Sequence, residues 1–267
     1  MIDSPMNRIL IRARSLIFKL KTRFHSGSLH RYEYLVDLAD DSAPASVVRF
    51  VGQDRKVLEI GAGPGSITRF LSGKNRCHVT AAEVDDSAIE KLRQFCDRVI
   101  KLDLNAPNWT DSLQEEGLFE VVVIADVLEH LYDPWQVLQD AKRLLAPGGH
   151  LVVSLPHAAH CAIVACLIEG DFEYRDWGLL DRTHIRFFGM RNIQNLFDGA
   201  GLSIVDAHFV VKAPEQTELV AHWNNLPAPL RAMLALGPHA KVYQVVVKAT
   251  AGSPALKLTE LPVSTAM

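Results

Sequence analysis

Val57-Leu58-Glu59-Ile60-Gly61-Ala62-Gly63-Pro64-Gly65 runs directly into Ser66-Ile67-Thr68-Arg69-Phe70-Leu71. The first half is a short aliphatic strand closed by an acid and three glycines at every second position. The second half has the composition of a helix. Strand, glycine turn and helix in succession bring bare backbone up to a nucleotide-like ligand, because glycine lacks the Cβ that blocks approach. The first helical N–H groups lack intrahelical partners and face an incoming anion. On its own such a loop is a weak signal, since a tight turn without a ligand has the same pattern.

Two further features narrow the reading. Ala81-Ala82-Glu83-Val84-Asp85 ends the next strand, and Glu83 lies twenty residues after Gly63. A carboxylate there accepts hydrogen bonds from both hydroxyls of a ribose. The loop spacing is G-x-G-x-G rather than the G-x-G-x-x-G of dinucleotide sites, and Glu59 stands two residues ahead of Gly61. An acid in that place attracts an ammonium group and repels a pyrophosphate. The spacing therefore favours an amino-acid nucleoside over NAD.

With these residues in view, the chain resembles the class I S-adenosylmethionine-dependent methyltransferases. Glu59 to Gly65 is similar to the family's first motif, and Glu83 to the ribose acid of its second. Leu102-Asp103-Leu104 is similar to the third, whose acid meets the adenine amino group. Phe119 to Leu131 is similar to the fourth strand with its post-strand motif, and Leu144 to Ser154 to the turn into the fifth. The resemblance implies S-adenosylmethionine as cofactor, with Gly61, Gly63 and Gly65 in close backbone approach and Glu59 at the methionine amino end. It puts Glu83 on the ribose, Asp103 on the adenine amino group, Val84 and Leu104 on the adenine faces, and Ala125 and Asp126 at the border of the cleft.

A narrower resemblance covers Ser154-Leu155-Pro156-His157 and Gly178-Leu179-Leu180-Asp181-Arg182-Thr183-His184-Ile185-Arg186-Phe187-Phe188. It points to a subgroup associated with glycosyltransferases and surface-polysaccharide biosynthesis. That subgroup has Asn at the place of His157 and a hydroxyl residue at the place of Gly189, which here serves as a helix N-cap.

The fold expected is α/β, a Rossmann-like doubly wound sheet. Strands are read near 56–60, 78–83, 98–101, 119–125, 149–155, 202–211 and 242–249. Helices are read near 66–72, 86–95, 110–115, 134–145 and 190–199. Val121 to Ile124 is apolar on both faces, as a central parallel strand is. The resemblance implies the order 3-2-1-4-5-7-6 with strand 7 antiparallel. Residues 32–249 form the methyltransferase domain, with a substrate-side insertion at 156–200. Residues 250–267 are expected to be a disordered tail, and Gly27 and Asp40 to Pro44 flexible joints.

Residues 7–24 read as a basic amphipathic helix, with Ile9, Leu16, Leu20 and Phe24 on one side and Arg8, Arg12, Lys19 and Arg23 on another. Two uses stay open: a lid over the cofactor cleft, or peripheral attachment to an anionic membrane surface. Residues 1–31 carry seven basic residues against Asp3 alone, a net +6. The remaining 21 basic and 30 acidic residues leave a body of −9. An acidic body argues against a nucleic-acid substrate, whose binding draws on phosphate neutralisation. Cys77, Cys96, Cys161 and Cys166 have no paired spacing, which fits a cytoplasmic chain. Ala158 to Ile168 is too short to span a bilayer.

For the acceptor, a hydroxyl attacks faster when a base removes its proton during transfer. His184 is the first candidate and His157 the second; the alternative for His184 is a turn-locking bond to Asp181. No metal is expected. The D-x-x-E-H spacing of Asp126, Glu129 and His130 is similar to a divalent-ion set of some ubiquinone-pathway enzymes, yet it reads more simply as a helix cap. Adjacent His160 and Cys161 lack matching partners for a metal. Phe172, Tyr174, Trp177, Phe187 and Phe188 form either the insertion's own core or a platform for a sugar or isoprenoid. Arg175, Arg182 and Arg186 either grip a substrate anion or pair with Glu173, Asp176 and Asp181. The substrate expected is a small or lipid-linked hydroxylated molecule, a glycan precursor first. A quinone or other small aromatic acceptor is second, and a non-catalytic cofactor-binding partner subunit third. A nicotinamide oxidoreductase is disfavoured by the loop. The oligomeric state has no signature in the sequence.

Overall fold

The computed structural model describes residues 32–96, 98–252 and 255–263. The amphipathic stretch at 7–24 lies outside them. Seven strands form one sheet in the order β3-β2-β1-β4-β5-β7-β6. They are β1 (Lys56–Ile60), β2 (His78–Glu83), β3 (Arg98–Lys101), β4 (Phe119–Ala125), β5 (Leu145–Pro156), β6 (Ser203–Val211) and β7 (Val242–Thr250). The first five run parallel, whereas β7 is antiparallel to both β5 and β6. Fold class, strand order and the antiparallel seventh strand match the expectation.

Alternation along each strand sorts the core into two layers, because successive side chains point to opposite faces. Leu58 and Ile60 of β1, Val122 and Ile124 of β4 and Leu151 and Val153 of β5 share one layer. Beneath it pack α4 (Pro134–Arg143) and α6 (Met190–Gly199), through Leu138, Ile193 and Phe197 among others. Val57, Val121, Val123 and Val152 point the other way, against α1 (Ala43–Val51) and α2 (Thr68–Gly73). Fully buried Ile124 typifies the central strand; Ile124→Ala would cost about 2–5 kcal/mol.

Capping fixes where the helices begin. Asp85 accepts from Ser87 N and Ala88 N at 2.8 and 3.0 Å and starts α3 (Asp86–Leu92). Asp133 accepts from Gln136 N at 3.0 Å, with Pro134 opening α4. Ser42 caps α1, so Asp40 to Pro44 is the entry to a helix rather than a joint. The polar Ser42 and the Pro at the helix start are its signature.

The insertion holds α5 (Cys161–Ile168), and residues beyond β6 add α7 (Val220–Asn225) and α8 (Ala228–Leu234). Residues 255–263 correct the tail expectation. Leu256 N donates to Ile204 O at 2.7 Å, Leu258 N donates to Gln194 Oε1 at 3.0 Å, and the Leu258 side chain is fully buried in the core. Among the described residues no helix is long and apolar enough to cross a membrane.

Candidate functional site

Strand β1 lies between β2 and β4, so the chain reverses direction of winding there and opens a crevice beyond the carboxyl ends of the strands. Gly61 N and Ala62 N both donate to Ala82 O, at 2.8 and 3.2 Å, which folds the loop back over β2. Gly63 has φ +53°, and a Cβ built there meets nothing within 4 Å. Its bare Cα faces open space of the kind a ligand fills. Gly61 differs, with φ +69° and a Cβ that would overlap Val127 Cγ2.

Glu83, 9% exposed, is the hinge of the cofactor half. Its Oε2 accepts from Gly63 N at 2.8 Å, and its Oε1 from Val84 N at 2.8 Å and Asp85 N at 3.0 Å. Three backbone donors hold the carboxylate in place; they fill both lone-pair sites of Oε1 and one of Oε2, so Oε2 keeps one for a ribose hydroxyl. Val84 is 53% exposed at the end of β2, and half-buried Leu104 and exposed Asp103 follow β3 at the same edge. Asp103 Oδ1 accepts from Asn105 N at 2.9 Å, which fixes the turn that presents the acid.

Glu59 sits behind the loop, almost wholly buried, where its Oε2 accepts from Thr68 Oγ1 at 2.7 Å. Burial pushes its carboxyl up to about 8, and the Glu83 charge adds to this against the Thr68 hydrogen bond. An ammonium group arriving beside it would restore the charged form. Tyr34 belongs to the same place. Its backbone N donates to Ser66 Oγ at 3.0 Å and its O accepts from Arg69 at 3.0 Å. Although 40% of the residue is exposed, its phenol is pushed far up by burial and by the charges of Asp126 and Glu59. Its backbone thus ties residue 34 to Ser66 and Arg69, beside the glycine loop.

Asp126 follows β4 in a left-handed conformation, φ +53°. Its carboxylate accepts from Ser154 Oγ at 2.7 Å and from Gln244 Nε2 at 3.0 Å to both oxygens, tying β4 to β5 and β7. Burial raises its pKa. With Ala125 it stands at the carboxyl end of β4.

Past Asp126, the 3-10 turn Leu128–His130 meets the insertion. Ile185 N and Arg186 N donate to Glu129 O at 2.9 and 3.0 Å, and His130 Nδ1 donates to Thr183 O at 3.1 Å. His184 packs edge-on to His130, with ring centroids 4.8 Å apart. Its Nδ1 donates to Leu179 O at 3.3 Å, and its Nε2 faces Glu129 Oε1 at 3.9 Å. Glu129 is 1% exposed, and burial, reinforced by Asp126, raises its pKa well above the ordinary value. The turn around His184 is locked by Asp181, whose Oδ1 accepts from Thr183 N at 2.9 Å and Thr183 Oγ1 at 2.7 Å.

His157 goes elsewhere. It is buried, its Nδ1 donates to Val242 O at 3.1 Å, and burial pushes it down to about 4. It pins β5 to β7, which corrects its reading as a base. His160 is likewise occupied: Nδ1 accepts from Ala162 N at 3.1 Å, so Nε2 donates to Lys212 O at 3.0 Å, and the residue caps α5. Arg175 pairs with Glu173 at 2.9 Å and Arg182 with Asp176 at 3.3 Å. Arg186 donates to Tyr132 O and lies over Trp135. The aromatic residues divide: Phe188 is buried and Phe172 stacks edge-on with Tyr174 and Phe187, while Tyr174, Trp177 and Phe187 keep exposed faces.

Three site residues had no legible signal. Tyr34 precedes the first helix in irregular chain, Thr68 reads as an ordinary helix residue, and Gln244 lies 118 residues from its partner Asp126.

Comparison with known proteins agrees with this geometry. Residues 30–207 match the family described as Methyltransferase domain. A sarcosine/dimethylglycine N-methyltransferase of Halorhodospira halochloris is 30% identical over 154 residues, 55% of this chain and 51% of that protein. The match thus spans about half the length of that curated relative. A ubiquinone biosynthesis O-methyltransferase of Xylella fastidiosa is 25% identical over 190 residues, 61% of this chain and 77% of that protein. Among solved structures, magnesium protoporphyrin IX methyltransferase of Synechocystis PCC 6803, with S-adenosylhomocysteine bound, superposes with a TM-score of 0.54 at 12% identity, covering 92% of this chain and 100% of that one. At that identity the likeness speaks for the fold alone. The chain belongs to the methyltransferase domain family, the class I enzymes whose cofactor is S-adenosylmethionine.

Proposed function

We propose that the protein O-methylates a hydroxylated acceptor, with a sugar or lipid-linked glycan precursor as the favoured substrate. The observation that carries this reading is the cluster of buried Glu129 and His184 with half-buried His130, near Asp126. An O-methyltransferase needs a group that draws off the hydroxyl proton, and the insertion delivers His184 to that place. The exposed faces of Tyr174, Trp177 and Phe187 on the same insertion suit a pyranose ring or a polyprenyl chain.

The cofactor supplies a methyl group already activated on a sulfonium. The chain's own residues bind and aim. Gly63 leaves room for close approach, and Glu83 holds the ribose through the Oε2 lone pair that its three backbone donors leave unused. Glu59 takes the methionine ammonium, Tyr34 closes over that end, and Val84 and Leu104 flank the adenine near Asp103. Positioning of this kind supplies several kcal/mol by presenting the acceptor oxygen in line with the S–CH₃ bond.

A quinone or small aromatic acceptor is the second reading, favoured by the likeness to the Xylella O-methyltransferase. Transfer of labelled methyl into fractionated extract of the source cells, with Glu83→Ala as the blank, separates the two. Label in membrane-extractable, acid-releasable sugar supports the glycan reading. Label in a quinone or small aromatic product overturns it.

A further inference from the structure

We propose that the outer face of α8, with the turn that follows it, is a docking surface for an anionic lipid bilayer. α8 (Ala228–Leu234) is apolar all round apart from Arg231. On its inner side Leu230 and Leu234 pack against the cluster of Cys161, Ala165 and Trp223. On its outer side Pro229, Ala232, Met233 and Leu236 recur at i, i+3, i+4 and i+7, which is one face of a helix, and all four are exposed. Met233 is 67% exposed and Leu236 81%. No residue of α8 is fully buried. A helix that is apolar on every side belongs in a core or in lipid, and the described residues cover only one side of this one.

Backbone polarity and charge point to lipid on the other. The start of a helix ordinarily carries bare N–H groups, which are costly in an apolar medium. Here Pro227 and Pro229 have no N–H, and Leu230 N and Arg231 N both donate to Pro227 O, at 3.0 and 3.1 Å. At the far end Ala235 N donates to Arg231 O at 3.1 Å and Leu236 N to Met233 O at 3.2 Å. Charge follows the same bias. Residues 219–259 contain no Asp or Glu, in a body of net −9, and the charged residues from 226 to 241 are Arg231 and Lys241. Glu215, the acid bonded to the inner cluster, accepts from Trp223 Nε1 at 2.8 Å. An apolar stripe accompanied by basic charge alone complements anionic headgroups over a hydrocarbon layer.

A second copy of the chain suits the surface less well. Protein interfaces take about 20–30 residues a side, whereas the stripe continues only into Gly237 and Pro238. Symmetric pairing would also gather Arg231 and Lys241 of both copies into one small contact. Binding to lipid has no such minimum footprint, since it scales with the apolar area inserted plus the attraction to anionic lipid. Docking through α8 is distinct from the basic stretch at 7–24 and holds for either acceptor.

Full-length protein sedimented with phosphatidylcholine vesicles, with and without phosphatidylglycerol, tests the surface. Expected are tighter binding to the anionic vesicles, a loss of at least tenfold in the Met233→Glu, Leu236→Glu double variant, and about fivefold in Lys241→Gln. Both apolar side chains are exposed, so the double variant should keep the Tm and the S-adenosylhomocysteine affinity of the wild type. In wild-type protein, hydrogen exchange at 228–236 should slow when anionic vesicles are added. Vesicle binding that the double variant retains in full would overturn the proposal and leave attachment to residues 1–31. Exchange at 228–236 that vesicles do not change, or no vesicle binding by the wild type, would overturn it as well. A dimer in sedimentation velocity that the double variant dissolves would give the face to a second copy instead.

Discussion

Changing pH across the range of Glu59 tests the assignment of the methionine ammonium most directly. Before the ligand arrives, burial holds the Glu59 carboxyl at about 8, so below that pH it is mostly neutral and binding an ammonium must expel its proton. The ligand's own α-amino group titrates near 8 as well, so above that pH the ammonium is lost before binding. The sign is opposite on the two limbs. Affinity rises with pH up to about 8 as Glu59 ionises, then falls as the ammonium deprotonates. Taking both values near 8, affinity for S-adenosylhomocysteine should drop roughly eightfold at 1.5 pH units on either side of the maximum, a little over 1 kcal/mol. Calorimetry at pH 7 in buffers of different ionisation heat should show a net release of about 0.8 proton per ligand bound, the Glu59 proton lost less the small fraction taken up by the ligand amine. Glu59→Gln should bind at least about tenfold more weakly at pH 8 and lose the acid limb while keeping the alkaline one. A flat affinity between pH 6.5 and 8, or an acid limb that survives in Glu59→Gln, would refute the ammonium assignment.

The geometry sets three other outcomes. Glu83→Ala removes the acceptor of three backbone N–H groups as well as the ribose contact, and should weaken S-adenosylhomocysteine binding by about 1–3 kcal/mol in calorimetry; unchanged affinity would sink the map of the cofactor half. Gly63→Ala should fold with a loss of about 1–2 kcal/mol in denaturant titration yet bind cofactor poorly, whereas Gly61→Ala, which overlaps Val127, should lose more stability than Gly63→Ala. His222 donates to Glu169 and Glu173 at 2.5 and 2.6 Å, and these hydrogen bonds raise its pKa. Its contribution is fully present below its unfolded value near 6.5 and disappears as pH rises through the higher folded value. His222→Gln should therefore lower Tm more at pH 6 than at pH 9, and an equal effect at both would show that the charge is not what holds α7 to the insertion.

The cofactor half was legible because its logic is local. Glu59, Gly63 and Glu83 are set by a strand, a turn and the next strand, and the spacing of glycines and acids survives translation into three dimensions. The acceptor half was legible only in part. His184 was visible as a histidine near the end of a polar turn, but that it meets Glu129 and His130 depends on the insertion folding back over the β4 turn, which no periodicity records. His157 was misread for the same reason: its neighbour Val242 is 85 residues away. Tyr34 and Gln244 act through contacts made across the chain, and Leu258 is an ordinary leucine until its burial is seen.

The placement of β7 bears on where this chain can be divided. The family match ends at residue 207, part way along β6, yet β6 reaches the sheet only through β7, and β7 alone pairs the outer side of β5. A fragment trimmed to the matched residues would strip Gln244 from Asp126 and leave β5, from His150 to Pro156, with its backbone donors and acceptors bare. Such an open edge recruits other chains. The last strand of the sheet to be synthesised is thus the one that seals it, and until that strand arrives the nascent protein carries an adhesive border next to its own cofactor crevice.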